Sequence, residues 1–262
     1  IPEFSFNSSI SYFPEVYVEN YNHFTGIANA TKIVAYKIVN QTGKGYVSDL
    51  ISAMASVILN RTTHHIVSVC LSIGTLGEDV SAINAVIDEV IENHILVVIA
   101  AGNNGIEGSK PFNKLGINKN AIVVGAINDK DQITSYSSMG EDGDDDNLKP
   151  DLVAPGGSVL PGGRSIISAD NKSDEATAAY GTSISAAIVS AAINLLIEAK
   201  WGTWTDWNNQ NLSKLVQMLK AILLMTATET NLEREDDPQT DIDESNYSPS
   251  LYSGLLNNLK DE

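Results

Sequence analysis

Two segments of this sequence put a polar side chain where a nucleophilic oxygen or an oxyanion could be held. Ser183 follows Gly181 and Thr182 at the start of a strongly apolar helical pattern. The free N–H groups of a first helical turn and the helix dipole favour developing negative charge, which suits a nucleophilic hydroxyl. On this segment alone, capping of the helix by Ser183 or Thr182 is the simpler interpretation.

Asn103 ends the second segment, residues 97–103, in which a β-branched strand pattern gives way to small residues. In open parallel sheets, ligands bind at the carboxyl ends of the strands. An amide at such a strand end can donate a hydrogen bond to an oxyanion. An ordinary Asn-Gly turn explains the same residues and remains an alternative.

The surrounding pattern alternates strand-like and helix-like segments. It begins with a β-branched run at residues 32–39 and a helix that starts from an N-cap at Ser48. Alternation with short crossovers is typical of a parallel, doubly wound sheet, so the sequence predicts an α/β fold of three layers with helices on both faces. The further predicted strands are residues 66–73, 94–101, 121–126 and 151–154, and the further predicted helices are residues 83–91, 182–200 and 212–225.

The charge balance limits the class of partner. Sixteen Lys and Arg residues against 33 Asp and Glu residues give a net charge of −17. Such a surface repels phosphate backbones and anionic lipid, so we expect neither a nucleic-acid nor a membrane partner. No apolar run approaches the roughly 20 residues of a membrane span.

One cysteine and one acidic run could carry other chemistry. Cys70 is the only cysteine, which excludes an intrachain disulfide, and its apolar neighbours predict a buried, unreactive thiol. The acidic run at residues 141–146 lacks the spacing and the terminal Glu of an EF-hand loop, so a structural calcium ion has no clear motif. We expect the chemistry to require no cofactor and no metal.

The two polar segments, together with Lys-Pro-Asp-Leu-Val-Ala-Pro-Gly at residues 149–156, resemble the subtilisin (subtilase) family and follow the family's order. Further segments agree with the family, and the resemblance extends over about residues 26–257. These segments are Gly-Ile-Ala-Asn-Ala at 26–30, Ser-Ile-Gly at 72–74, Ser-Tyr-Ser-Ser-Met-Gly at 135–140, Thr-Ala-Thr at 226–228 and Tyr-Ser-Gly-Leu-Leu-Asn at 252–257.

The resemblance implies a serine endopeptidase that forms an acyl-enzyme at Ser183, with Asn103 as side-chain donor to the oxyanion. In subtilisin, the reference case for this magnitude, loss of such a donor costs about 2.7–4 kcal/mol. Two backbone segments would pair with an extended polypeptide substrate, and the end of a strand would form one wall of a specificity pocket. The implied substrate-binding residues are Gly43, Lys44, Gly45, Ser72, Ile73, Gly74, Ala101 and Gly102.

The sequence also departs from the family. The family's catalytic Asp and His precede the segment that resembles residues 26–30, and neither of their motifs occurs in this chain. The four His residues lack the residues that flank the catalytic His of the family, so we interpret them as surface or strand-end residues. After Ser183, Ala187 and Ile188 replace the family's Pro and His.

Without a base, the chain alone should be inactive, because removing the base of subtilisin lowers turnover by roughly a millionfold. We expect a partner segment with the Asp and the His, either upstream in the natural protein or on a separate, nicked chain. That segment should cover part of the helix at residues 182–200, which has almost no polar face. The alternative is a pseudoprotease that acts as a peptide-binding or scaffolding module.

The chain divides into two parts on this interpretation. Residues 1–25 form an N-terminal segment whose first four residues, Ile-Pro-Glu-Phe, resemble an expression-vector linker. Residues 26–262 form the subtilisin-like catalytic domain with the Ser and the oxyanion Asn. Seven Asn-x-Ser/Thr triplets slightly favour an extracellular or secretory compartment.

Overall fold

The secondary structure follows the alternation expected from the sequence. The computed structural model describes residues 3–5, 25–75, 80–105, 113–138, 149–158, 163–170, 176–208, 215–229 and 253–254. The strands in these ranges are β1 (Glu3–Ser5), β2 (Lys44–Tyr46), β3 (Ser68–Leu71), β4 (Gly74–Thr75), β5 (Leu96–Ala100), β6 (Ile122–Ile127), β7 (Leu152–Pro155), β8 (Ile166–Ala169), β9 (Ala176–Ala179), β10 (Thr228–Glu229) and β11 (Ser253–Gly254). The helices are α1 (Val47–His64), α2 (Ser81–Glu92), α3 (Thr182–Trp201), α4 (Trp204–Asn208) and α5 (Leu215–Thr226), and a 3-10 turn spans Lys114–Ile117.

A six-stranded sheet in the order β10-β11-β7-β6-β5-β3 forms the centre of the fold. Neighbouring strands from β3 to β11 are parallel, and β10 adds to β11 as an antiparallel edge. Every residue of β5 and β6 is buried, as expected for parallel strands covered on both faces. The predicted parallel α/β sheet is confirmed.

Helices cover both faces of this sheet. Because side chains alternate along a strand, Val97 and Ile99 of β5 pack into a cluster with α1 and α2. Leu96 and Val98 point to the opposite face, into a cluster with α3 and α5. The three predicted layers are therefore two helical layers with the sheet between them.

The segment at residues 32–39 is the main difference from the predicted elements. It is not a strand, although its β-branched residues are typical of one. Tyr36 and Ile38 pack against the α1 side of the core, whereas the Ile33 side chain is 89% exposed. A strand needs a neighbour for its backbone hydrogen bonds, and none of the described strands pairs with this segment.

Two smaller differences concern α1 and the hairpin formed by β8 and β9. The helix α1 begins at Val47, and the backbone N–H of Tyr46 donates to the Asp49 carboxylate at 3.2 Å. Ser48 therefore lies inside the helix and is not its N-cap. The antiparallel pair of β8 and β9 was not predicted, because its short strands lack a distinctive apolar alternation.

The helix α3 passes across four strands of the sheet, β3, β5, β6 and β7. By length and composition alone it could cross a membrane, but Val189 and Ile193 lie in the core against the sheet. Only 39% of its 18-residue apolar window is buried. Ala187 is exposed and Ile188 is half-buried, so part of an apolar face is uncovered by the described residues.

The edge strand β3 is also open on one side. It pairs with β5, and no other described strand pairs with it. The prediction of a buried thiol at Cys70 is wrong, because this residue of β3 is exposed. Its Sγ lies 3.7 Å from the Ser72 Oγ.

Candidate active site

Ser183 and Asn103 lie at the same edge of the central sheet. Asn103 follows the carboxyl end of β5, and Ser183 is the second residue of α3, whose first turn meets this edge. Thr182 connects the two, because it contacts Asn103 and precedes Ser183. The structure therefore brings together the two polar segments that the sequence singled out.

The side-chain amide of Asn103 has a fixed orientation. Its Oδ1 accepts hydrogen bonds from the backbone N–H and the hydroxyl of Thr182, each at 2.9 Å. Since an N–H donor must face an oxygen, the amide nitrogen points away from Thr182. A Cβ built on Gly181 would lie 3.1 Å from this nitrogen, so the absence of a side chain at Gly181 leaves space beside it.

Thr182 also ties the start of α3 to the end of β5. Its side chain is fully buried, and its hydroxyl accepts a hydrogen bond from the Gly102 N–H at 3.1 Å. The same hydroxyl donates to Asn103, so it acts as both donor and acceptor. Gly102 adopts φ +109°, a conformation that side-chain-bearing residues rarely adopt.

Ser183 itself is half-buried and lies in the first turn of α3. The first turn of a helix can bind an anion through N–H groups that lack a partner within the helix. Here the Thr182 N–H already donates to Asn103, and the Ile184 and Ser185 N–H groups donate to the Gly181 carbonyl, so the Ser183 N–H is the remaining donor of this turn. The Ser183 carbonyl accepts a hydrogen bond from the Ser72 hydroxyl at 3.1 Å. This bond connects the nucleophile candidate to the segment that leads into β4.

The predicted peptide-pairing segments contain the outer strands of a narrow three-stranded sheet, in the order β2-β1-β4. Lys44 and Gly45 belong to β2, and Gly43 precedes it with φ +75°. Gly74 begins β4, directly after Ser72 and Ile73. A Cβ on Gly45 would collide with the Ile38 carbonyl, which explains a glycine at this position.

Asn113 connects β4 to the end of β5, and the sequence pattern did not predict this role. Its buried side-chain amide donates to the carbonyls of Ile73 at 2.9 Å and Ala100 at 2.8 Å. Its backbone N–H donates to the Ala101 carbonyl at 3.1 Å. Asn113 thus holds β4 against the end of β5, and a single Asn before a 3-10 turn gives no sequence signal of that role.

Gly102, predicted with Ala101 as a pocket wall, packs against the segment around Ser138. Ala101 is fully buried. The Ser138 N–H donates to the Gly102 carbonyl, and the Ser138 hydroxyl accepts from the Asn104 N–H, both at 3.0 Å. A Cβ on Gly102 would lie 3.0 Å from that hydroxyl, so together with its φ of +109° this contact favours a glycine in the wall.

Tyr136 fixes the turn that supports Gly181. Its hydroxyl lies 2.8 Å from the carbonyl oxygens of Gly156 and Gly157 and donates its proton between them. Burial raises the pKa of Tyr136 to about 12, so the phenol stays neutral at physiological pH. The Gly181 N–H donates to the Gly156 carbonyl at 2.8 Å. This bond connects the turn held by Tyr136 to the residue before α3.

The described His residues lie at the other end of the molecule. His65 follows α1 in a left-handed conformation and stacks on Trp204 at 4.8 Å. Trp204 lies beyond the end of α3, and 18 residues at 1.5 Å per residue separate Ser183 from Trp201, about 27 Å. His94 lies in the turn before β5, at the amino end of that strand.

No described His, Asp or Glu side chain is hydrogen-bonded to Ser183. His23 and the acidic run at residues 141–146 lie outside the described residues. Within the described ranges, no three His, Cys, Asp or Glu side chains group together as they would around a metal ion.

Lys149 and Asp151 of the Lys-Pro-Asp segment lie at the amino end of β7, away from Ser183. Lys149 is only 4% exposed in its side chain and bonds the Asp151 carboxylate at 2.7 Å, while Lys220 bonds its other oxygen at 2.8 Å. The Val123 N–H also donates to Asp151 at 2.7 Å. Burial lowers the pKa of Lys149 to about 8.

Comparison with known proteins gives a consistent result. A model of the subtilase family matches residues 13–244. Subtilisin NAT of Bacillus subtilis subsp. natto is 31% identical over 186 residues, which are 69% of this chain and 42% of that protein. A cuticle-degrading serine protease of Arthrobotrys oligospora is 32% identical over 135 residues, 52% of this chain and 30% of that protein. The minor extracellular protease Epr of Bacillus subtilis is 31% identical over 117 residues, 45% of this chain and 17% of that protein.

Two solved structures share the fold. Sphericase superposes with a TM-score of 0.63 and 23% identity, over 78% of this chain and 64% of that one. A cold adapted subtilisin-like serine proteinase gives a TM-score of 0.60 and 22% identity, over 78% of this chain and 63% of that one. The chain spans about two fifths of the length of the subtilisin relative, at 42%.

Proposed function

Because the chain belongs to the subtilase family, we propose that it is the nucleophile-bearing part of a serine endopeptidase. The observation that carries this proposal is the fixed amide of Asn103. Two donors from Thr182 hold its Oδ1 and leave its nitrogen beside Gly181, two residues before Ser183 in the chain. Such preorganised donors stabilise charge that develops only in the transition state.

The proposed reaction is acyl transfer through Ser183. The Ser183 Oγ attacks the carbonyl carbon of the scissile peptide bond while a general base takes its proton. The negative charge on the former carbonyl oxygen is bound by the Asn103 amide and the Ser183 N–H. The C–N bond then breaks as the amine takes the proton, and water releases the acyl group by the reverse sequence. These steps need no metal and no cofactor.

The substrate is an extended polypeptide. Its main chain pairs with β2 on one side and with β4 on the other, as in other β-augmentation complexes. The hydrogen bond from Ser72 to the Ser183 carbonyl supports this role, because it sets the distance between the peptide-pairing segment and the nucleophile. Ala101 and Gly102 form one wall of the pocket for the residue before the scissile bond.

The base and its orienting carboxylate come from a companion segment that carries a His and an Asp. Three features support this part of the proposal. The described His residues lie far from Ser183, and no described strand other than β5 pairs with β3. The described residues also leave an apolar surface of α3 uncovered at Ala187 and Ile188. Each large apolar side chain that the segment buries contributes roughly 1.5–3 kcal/mol.

One observation favours the alternative, a peptide-binding module without chemistry. Both strands that would hold a peptide, β2 and β4, are within this chain and pair with an extended segment. Binding of this kind requires no His and no Asp. The two functions therefore differ in the companion segment and not in the groove.

Complementation distinguishes the two functions. The chain is coexpressed with a subtilase segment that carries the Asp and the His, and hydrolysis of a quenched fluorescent peptide is measured. We expect turnover from the complex, background rates from the chain alone, and loss of turnover in Ser183→Ala. Ser52→Ala, an exposed serine on α1, is the matched control.

Two results would contradict the proposal. Turnover by the chain alone that Ser183→Ala abolishes would show that the base lies within these 262 residues. A stable complex without turnover would contradict the endopeptidase and favour the peptide-binding module.

We also infer an extracellular location for the protein, which is supported by the name of the minor extracellular protease among its relatives.

A further inference from the structure

The groove between β2 and β4 is already occupied by the N-terminal part of the same chain. Phe4 pairs with Gly45 of β2 and with Thr75 of β4. Ser5 pairs with Lys44 and with Gly74 in the same way. Both pairings are antiparallel. Because β1 pairs on both sides, it is the middle strand of a three-stranded sheet whose outer strands are the proposed peptide-binding segments.

The direction of β1 matches that of a peptide running towards the nucleophile. Because β1 is antiparallel to β4, its carboxyl end points towards the residues that precede β4. Those residues include Ser72, whose hydroxyl bonds the Ser183 carbonyl at 3.1 Å. The N-terminal strand therefore enters the groove in the orientation that leads a main chain to Ser183.

We propose that residues Glu3–Ser5 are a built-in occupant of this groove, which extended peptides must displace before they bind. The partner of the surface formed by β2 and β4 is thus a segment of the same chain. The inference rests on the proposed function only in taking these two strands as the peptide-binding surface.

The character of the occupant supports the proposal. The subtilase match begins at residue 13, so Glu3–Ser5 lie outside the part of the chain that resembles the family. Pairing through the main chain does not depend on which side chains the strand carries. A segment whose sequence does not resemble a substrate can therefore fill the groove, provided that it is extended and attached nearby.

Tethering sets the strength of the competition. Attachment within one chain holds a ligand near its site at an effective concentration that reaches roughly a millimolar. Against a peptide that would bind the empty groove with a Kd of about 100 µM, such a tethered copy weakens the apparent affinity on the order of tenfold.

The test measures binding of a free peptide to chains with and without a competent β1. The probe is a fluorescein-labelled peptide that copies residues 1–8, followed by anisotropy. The Phe4→Pro/Ser5→Pro variant removes the backbone N–H groups with which β1 pairs on both sides. Asn20→Pro/Asn22→Pro introduces two prolines elsewhere in the N-terminal segment and is the matched control.

We expect the Phe4→Pro/Ser5→Pro chain to bind the probe about tenfold more tightly than the wild type and the control. Amide hydrogen exchange at residues 44–46 and 74–75 should become faster in the same variant, because both outer strands lose their partner. Gly74→Pro removes an N–H of β4 and should weaken binding in every background. A Cβ at this position meets nothing closer than 3.7 Å, so the added Cβ does not itself clash.

Three outcomes would overturn the inference, and they are distinguishable. Equal affinity of all three chains, with Gly74→Pro still weakening binding, would show an intact groove that β1 does not occupy. Absence of binding even in the Phe4→Pro/Ser5→Pro chain would contradict the proposed peptide groove itself. A dimer in sedimentation experiments that Phe4→Pro/Ser5→Pro abolishes would mean that β1 occupies the groove of a second copy.

Discussion

Replacing Thr182 with Val removes one hydroxyl from the junction between β5 and α3. The side chain is fully buried, so the β-branched shape of Val is retained while both hydroxyl contacts are lost. One lost contact is the hydrogen bond from the Gly102 N–H at 3.1 Å, and the other is the bond to the Asn103 Oδ1 at 2.9 Å. The bond from the Thr182 backbone N–H to Asn103 remains.

The expected loss follows from these contacts. A net hydrogen bond contributes about 0.5–1.5 kcal/mol, and a donor left without an acceptor costs about 1–3 kcal/mol. Gly102 is half-buried, so its N–H regains part of its bonding from water. We therefore expect Thr182→Val to lower the free energy of unfolding by about 2 kcal/mol. In the complemented enzyme, turnover should fall roughly tenfold at unchanged Michaelis constant, because Asn103 is loosened but not released.

Denaturant titration of the chain measures the first effect, with Thr182→Ser as the control that keeps the hydroxyl. A double-mutant cycle with Asn103→Ala measures the second, since removing the amide should abolish most of the kinetic effect of Thr182→Val. The reasoning is refuted if Thr182→Val unfolds at the same denaturant concentration as the wild type. It is also refuted if Thr182→Val lowers turnover by the same factor with and without Asn103.

Three further predictions concern the site and its support. In the complemented enzyme, Asn103→Ala should lower turnover roughly a hundred- to a thousandfold with little change in Michaelis constant; a change mainly in the Michaelis constant would assign Asn103 to substrate binding. Gly181→Ala should cost about 1–3 kcal/mol of stability and also lower turnover, because φ is +140° and the new Cβ lies 3.1 Å from the Asn103 amide nitrogen. Gly202→Ala, at φ +70° with no atom closer than 4.0 Å, should be strained but active, and equal loss of turnover in both variants would contradict the steric argument. Lys149 has a pKa of about 8 in the folded chain and 10.5 in the unfolded chain. Between these two values the unfolded chain binds more protons, so the free energy of unfolding should rise by about 2 kcal/mol from pH 7.5 to 9.5. Urea titrations across this range should show no such rise in Lys149→Met, and an identical slope in both proteins would contradict the assignment.

The sequence was sufficient for the parallel core and for the two polar segments of the site. Buried parallel strands are continuous apolar runs, and their helices have a clear period, so β5, β6 and α3 follow from local pattern alone. Asn103 follows Gly102 after the end of β5, and Ser183 follows Gly181 and Thr182 at the start of α3. Each segment alone also fits a turn or a helix cap, so the resemblance to the family singled them out, and their catalytic roles stay predictions.

The missed features depend on contacts between distant parts of the chain. Asn113 holds β4 and β5 through its side-chain amide, and nothing in its local sequence distinguishes it from any turn asparagine. Residues 32–39 have the composition of a strand, but a strand exists only where a neighbour accepts its hydrogen bonds. Cys70 was expected to be buried for the same reason, since local apolarity does not reveal that β3 is an edge.

The outer edge of β3, which no other described strand covers, affects how copies of the isolated chain associate with one another. An unpaired edge is a template on which another copy can add a strand, and such addition leads to aggregation. The net charge of −17 opposes it, because identical copies repel one another. That repulsion acts over about 8 Å at physiological ionic strength but only about 3 Å in molar salt. The chain should therefore stay dispersed in dilute buffer and associate as salt is added, unless a companion strand already covers the edge.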